Sequence, residues 1–208
     1  MINPTQKKMK FLLFFLFLFF LQGVTSQENN SVRFGLKAGS NFSHINFSKG
    51  SPPPETPILT NWQPGIVAGF LVVIPLIDQL YFQPEYLFHQ MGGKIEDENR
   101  QYSINYLSLP VLIQWQFLNR FSFLAGPQFD LLINARDKTG NNTVSIEKDI
   151  EHRSIAFTAG LQYTFTDNMI VGIRYMHGFN HIGIVRDTGY EEFKYESMQF
   201  SFSYLFYL

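Results

Sequence analysis

The sequence has no cysteine, which excludes disulfides and thiol chemistry. It is also short of charge: Asp, Glu, Lys and Arg together make up 16% of the residues, with 16 basic against 17 acidic side chains. That balance leaves no general footprint for nucleic acid. Only one long apolar run occurs, and no segment carries a 3.6-residue apolar period, so little helix is expected. No glycine-rich phosphate loop lies between a strand and a helix, and there is no HExxH pair.

The single apolar run is Phe11–Leu21, eleven consecutive Phe and Leu residues. Lys7, Lys8 and Lys10 precede it, and the small residues Val24, Thr25 and Ser26 follow. A basic segment, a short apolar segment and a small-residue end predict a secretory signal, cleaved after Ser26. Eleven residues fall short of the roughly twenty that a spanning helix needs. Residues 1–26 are therefore read as the signal and residues 27–208 as one domain. Without the three lysines, 13 basic residues face 17 acidic ones in that domain. Any membrane insertion must then be by strands.

What is plentiful is aromatic residues, 17% of the chain, arranged with a period of two. The clearest stretch is residues 196–208, ESMQFSFSYLFYL. Met198, Phe200, Phe202, Tyr204, Phe206 and Leu208 form one row; Ser197, Gln199, Ser201 and Ser203 alternate with them. This is a strand with unlike faces. Similar alternation predicts strands near 31–42, 64–74, 80–91, 100–116, 121–133, 151–165 and 169–178. Pro84 removes a ladder donor from the third and is its weak point. The connections at 75–79, 117–120 and 166–168 are short; those at 43–63, 92–99, 134–150 and 179–195 are long. Alternating short turns and long loops with an even strand count are the pattern of outer-membrane barrels. The fold class expected is all-β: an eight-stranded antiparallel up-and-down transmembrane β-barrel.

The rows opposite the apolar ones carry Arg33, Lys37, Glu85, Asp130 and Arg174. Isolated charges in a dry core are costly, whereas in the packed lumen of a small barrel they can pair. A lumen network is expected in which Glu85 and Asp130 face Arg33, Lys37 and Arg174. Phe200, Phe202, Tyr204, Phe206 and Leu208 of the closing strand are expected to face lipid, and that strand to pair with residues 32–42. Tyr81, Phe82, Trp115, Phe117, Phe121, Phe165, Phe206 and Tyr207 are assigned to an aromatic girdle at the short turns. Trp62, Tyr86, Phe88, Tyr102, Tyr175 and Phe179 are assigned to a girdle at the long loops.

Chemistry-bearing sites are sparse. His177 and His181 have ligand spacing for a helix, but they fall at a strand end and loop. His152 with Glu151 or Ser154, and His177 with Ser201 or Ser203, are the pairs that a lipid-modifying site would use. Neither carries a nucleophile motif. No catalytic, cofactor or metal site is assigned, and no enzymatic activity is expected.

Residues 106–115, YLSLPVLIQW, resemble the YLxIPxLLKY signature of PorT-like outer-membrane β-barrel proteins. Gly126-Pro127-Gln128-Phe129-Asp130 is similar to the Gly-Pro-aromatic strand of that family, and Phe34-Gly35-Leu36-Lys37-Ala38-Gly39 with Asn41-Phe42 resembles its first strand. Gln114 stands where a basic residue is usual, and Leu208 where Phe is commoner. The resemblance to the porin-like, OmpA-like/PorT type of eight-stranded barrel implies architecture and an outer-membrane location. One namesake takes part in secretion, and that role is not carried over. The partners expected are outer-membrane lipid, the barrel-assembly machinery during insertion, and proteins met through loops 43–63, 92–99, 134–150 and 179–195. A structural or interaction role at the cell surface is the reading preferred. A small-conductance pore and a soluble lipocalin-like barrel in the periplasm, with its apolar rows inward, stay open as alternatives.

Overall fold

A computed structural model describes residues 31–50, 58–95, 100–186 and 189–207. The signal expected at residues 1–26 and the lipid-facing role of Leu208 lie outside the described residues. Eight strands form the barrel: β1 (Arg33–Asn46), β2 (Gln63–Ile77), β3 (Leu80–Ile95), β4 (Arg100–Leu118), β5 (Phe121–Thr139), β6 (Arg153–Thr166), β7 (Met169–Gly178) and β8 (Gly189–Tyr207). Each pairs antiparallel with the next. β8 also pairs with β1, from Arg33↔Tyr207 to Asn46↔Lys194, so the sheet closes and no edge is left open. Shorter pieces extend it at the long-loop end. Thr60–Asn61 pairs with β3, Asn142–Ser145 with β5, and Ile182–Arg186 with β8.

The period-two rows resolve as two faces of the wall. On β1, Phe34, Leu36 and Phe42 point out, and Gly35, Lys37, Asn41 and Ser43 point in. On β8, Met198, Phe200, Phe202, Tyr204 and Phe206 are exposed, while Ser197, Gln199, Ser203 and Leu205 are buried. A lipocalin-like barrel would reverse this, so that alternative is corrected. A Phe or Leu row gains nothing from facing water, and its outward exposure on every wall suits a hydrocarbon surrounding.

Proline breaks pairing locally without ending strands. The β2–β3 ladder skips from Leu71↔Glu85 to Ile74↔Phe82 around Pro84. The β4–β5 ladder skips from Pro110↔Gln128 to Ile113↔Ala125, beside Pro127. A residue without an N–H loses its own ladder bond, but the paired positions on either side hold the register.

The strands run further into the long connections than the alternation predicts. β1 continues to Asn46 and passes into a short 3-10 turn, Phe47–Lys49; β3 reaches Ile95; β5 reaches Thr139; and β8 begins at Gly189. The boundaries 43–63, 92–99, 134–150 and 179–195 are therefore corrected. Backbone pairing continues past the point where apolar side chains stop alternating, because each added pair satisfies two more peptide groups. In β5 a bulge between Asn134 and Leu132 leaves Ile133 unpaired with β4 and reverses the alternation, so that Ala135 turns inward.

These extensions build an apolar cap over the lumen. Ile45, Phe47, Ile95, Tyr102, Ile104, Tyr106, Phe193 and Tyr195 meet Ile146, Ile150, Ile182 and Ile184 from the loops. Phe193 stacks edge-on against Phe47 at 5.4 Å and against Tyr195 at 5.1 Å. Tyr102, assigned to the outer girdle, is corrected: it shares the inward parity of Ile104 and Tyr106 and is buried in this cap. Tyr81 likewise points inward, packing on the lower cluster and donating to Gln116. Phe193→Ala removes the ring that joins three parts of the cap. Limited proteolysis of the reconstituted protein is expected to cut the long-loop end several-fold faster, with the membrane-protected fragment unchanged.

Candidate functional site

The most elaborate chemistry lies inside the barrel, in layers. At the short-turn end Leu71, Val73, Ile170 and Leu205 form an apolar floor. Above it sits Glu85 on β3. Its Oε1 accepts from Lys37 Nζ at 2.6 Å, from Arg174 Nη2 at 2.7 Å and from Gln83 Nε2 at 2.6 Å; its Oε2 accepts from Arg174 Nη1 at 2.7 Å. All three charged side chains are buried. The two-pronged Arg174 contact matches the guanidinium fork to the carboxylate plane.

The strand order explains how they meet. Lys37 on β1 is level with Gly69 on β2 and Leu87 on β3. With no side chain at Gly69, the lysine can pass over β2 to Glu85. Arg174 on β7 stands four strands from β3 around an eight-stranded ring, on the opposite wall, so its side chain crosses the lumen. Gly160, its β6 neighbour, leaves the room. A Cβ there would lie 2.2 Å from the Ile173 carbonyl oxygen and 2.7 Å from Arg174 Cγ. Gly160→Ala is expected to cost about 1–3 kcal/mol by overpacking, measured as a lowered urea midpoint of the barrel in vesicles.

A second, uncharged-donor layer holds Asp130. Its Oδ1 accepts from Ser108 Oγ and from Gln128 Nε2, the latter at 2.9 Å. Thr158 Oγ1 donates to Gln128 Oε1 at 2.9 Å. His89 lies 3.4 Å from Ser108 Oγ through Nδ1 and 2.7 Å from Asn41 Nδ2 through Nε2. Asn41 in turn reaches Ser197 at 3.3 Å. The structure thus joins Lys37, Glu85 and Arg174 in one cluster, and holds Asp130 in another with neutral partners. Arg33 sits half-buried at the short-turn end of β1 and forms no ion pair with either carboxylate among the described residues. Charge alone did not point to Asn41, His89, Ser108, Gln128 and Thr158. Their inward parity was the available signal.

The histidine pairs separate. His177 Nδ1 lies 3.7 Å from Glu196 and His181 Nδ1 lies 4.0 Å from Glu192. His177 is on the outer face of the wall, whereas Ser203 is buried inside it. His152 bonds the Glu147 carbonyl oxygen at 2.8 Å and is exposed, while Ser154 points into the lumen. Among the described residues no three His, Cys, Asp or Glu side chains converge as metal ligands.

A closed eight-stranded meander, apolar outside and carrying buried charge inside, defines an outer-membrane β-barrel. The chain belongs to the outer membrane protein beta-barrel domain family, which matches residues 20–183. No curated protein sequence matches it. Among solved structures it is similar to Neisserial surface protein A (NspA), with TM-score 0.53 and 11% identity over 83% of this chain and 97% of that one. It is similar to the outer membrane protein AlkL, with TM-score 0.51 and 10% identity over 89% and 95% of the two chains. It is also similar to Ail, the attachment invasion locus protein of Yersinia pestis, with TM-score 0.50 and 13% identity over 84% and 98%. At these identities the likeness is one of fold.

Proposed function

We propose that the protein is a non-enzymatic barrel that holds a fixed surface at the cell exterior, with a structural or interaction role. The single observation that carries this reading is the filled lumen: an apolar floor, a cross-lumen ion cluster, an amide and hydroxyl layer, and an apolar cap. A lumen packed in this way has its function on its outer surfaces. Residues 1–26 would direct export, and the assembly machinery would fold the barrel with its short turns in the periplasm. The PorT-like signature at residues 106–115 fits this architecture. The long-loop end, within 43–63, 92–99, 134–150 and 179–195 and beyond the strand extensions described above, would present the partner surface.

Reconstitution into planar bilayers is expected to give no reproducible conductance steps. Stable openings of uniform size would replace this reading with transport. Cell fractionation is expected to recover the protein in membranes that need detergent for release, with migration that shifts on heating.

A further inference from the structure

Inside the barrel, we infer a binding site for a small monovalent anion of chloride size. It is formed by Lys37, Arg174 and Gln199, on the lumen side of β1, β7 and β8.

Two open donors stand side by side. Arg174 Nε and Gln199 Nε2 are buried and have no hydrogen-bond partner among the described residues. Their residues are 2% and 7% exposed, level with each other on adjacent strands, and both turned inward. A buried N–H without a partner is costly, so two neighbouring ones call for an acceptor. The charge around them has the matching sign. Lys37 and Arg174 share the single carboxylate of Glu85, which leaves the cluster one positive charge in excess. Asp130 does not offset it there, because it stands on β5 and is engaged by Ser108 and Gln128. Such a cluster reaches balance by shedding the lysine proton or by taking up an anion. The open donors favour the anion: a neutral amine at Lys37 would leave both of them as they are.

The geometry brings donors and charge together. Arg174 Nη2 and Lys37 Nζ donate to the same Glu85 oxygen, at 2.7 and 2.6 Å. Nε and Nη2 lie along one edge of the planar guanidinium, so that edge and the ammonium group face a common space. β8 runs between β1 and β7 and walls this space. Gln199 is level with Arg174, and Ser203 with Lys37. Between these two rungs, Gly39, Ser201 and Gly172 carry one hydroxyl in place of three side chains. A two-residue step along a strand is about 7 Å, room for one small ion. A Cβ at Gly172 would lie 3.2 Å from Gln162 Cγ and 3.5 Å from Ser201 Oγ, so these two side chains bound the space at β7. The apolar floor and cap close the lumen below and above. One excess charge and this width select a monovalent anion; a divalent one would overcompensate and lose more hydration.

The test is urea unfolding of the full barrel in phosphatidylcholine vesicles, with potassium bromide replacing potassium gluconate at constant ionic strength. Gluconate is too bulky for the space, and constant ionic strength removes general screening. At fixed urea the folded-to-unfolded ratio of the wild type is expected to rise about tenfold for each tenfold rise in bromide above the dissociation constant. Lys37→Met removes the excess charge and Gln199→Leu removes one donor; both are expected to fold and to lose this dependence. Bromide soaked into crystals of the barrel is expected to give an anomalous peak within hydrogen-bond reach of Arg174 Nε and Gln199 Nε2. A flat wild-type response from about 1 to about 300 mM bromide overturns the site and leaves water on the two donors. An undiminished response in both variants also overturns it, because the effect would then be general, and so does a bromide peak found only elsewhere. Planar-bilayer conductance tests the closed lumen separately: stable openings would overturn the non-conducting reading above, whereas a flat bromide response overturns only this site.

Discussion

Glu85→Gln is expected to lower the stability of the folded barrel by about 3–5 kcal/mol, while Lys37→Met costs less than about half as much. The asymmetry follows from counting charge. Lys37 and Arg174 both bond Glu85, so the buried cluster carries two cations and one anion. Removing the anion leaves two like charges facing each other without water. Removing the lysine leaves a neutral, two-pronged Arg174–Glu85 pair with its geometry intact. Restoring the balance in Lys37→Met/Glu85→Gln should recover part of the loss, because one cation remains instead of two. Urea unfolding in lipid vesicles, followed by the fluorescence of Trp62 and Trp115, measures all three variants. If Lys37→Met proves as costly as Glu85→Gln, the cluster is not held by its carboxylate, and the cross-lumen role of Arg174 falls with it.

A lysine at Phe202 is expected to cost about 2–4 kcal/mol, the cost of a cation on the lipid face near the bilayer midplane. Phe202 is 46% exposed on the outer face and paired with Ala38 and Val171. Its neighbour Ser203 is buried and stands level with Lys37. There the sign of the charge decides: Ser203→Lys sets two ammonium groups side by side, and Ser203→Asp offers Lys37 a second anion. On the outer face depth decides, and a charge of either sign is unfavourable. The same unfolding assay separates these cases. Equal tolerance of lysine at positions 202 and 203 would mean that the two faces of β8 are assigned the wrong way round.

Most of the wall was legible in the sequence because the strand period is two and each face has its own solvent. Phe200, Phe202 and Tyr204 need no partner strand to declare their side. The same parity rule draws Tyr102 inward with Tyr106, whereas its aromatic character taken alone points to a girdle. Loop length was overestimated wherever apolar alternation stopped while backbone pairing went on, as at Asn46, Ile95 and Thr139. The bulge at Ile133 leaves no local mark in the sequence, since Ile, Asn and Ala all accept either face.

The lumen chemistry divides the same way. That Lys37, Glu85, Asp130 and Arg174 lie inside was determined by the sequence alone, through alternation and the cost of placing a charge in hydrocarbon. Which of them meet was decided by tertiary structure. Arg174 reaches Glu85 because the eight strands close into a ring that sets β7 opposite β3, and Gly160 leaves it room, while Asp130, on another arc of the wall, is satisfied by Ser108 and Gln128. Pairing across a barrel depends on strand order, register and closure together, and none of these is a property of any one stretch of chain.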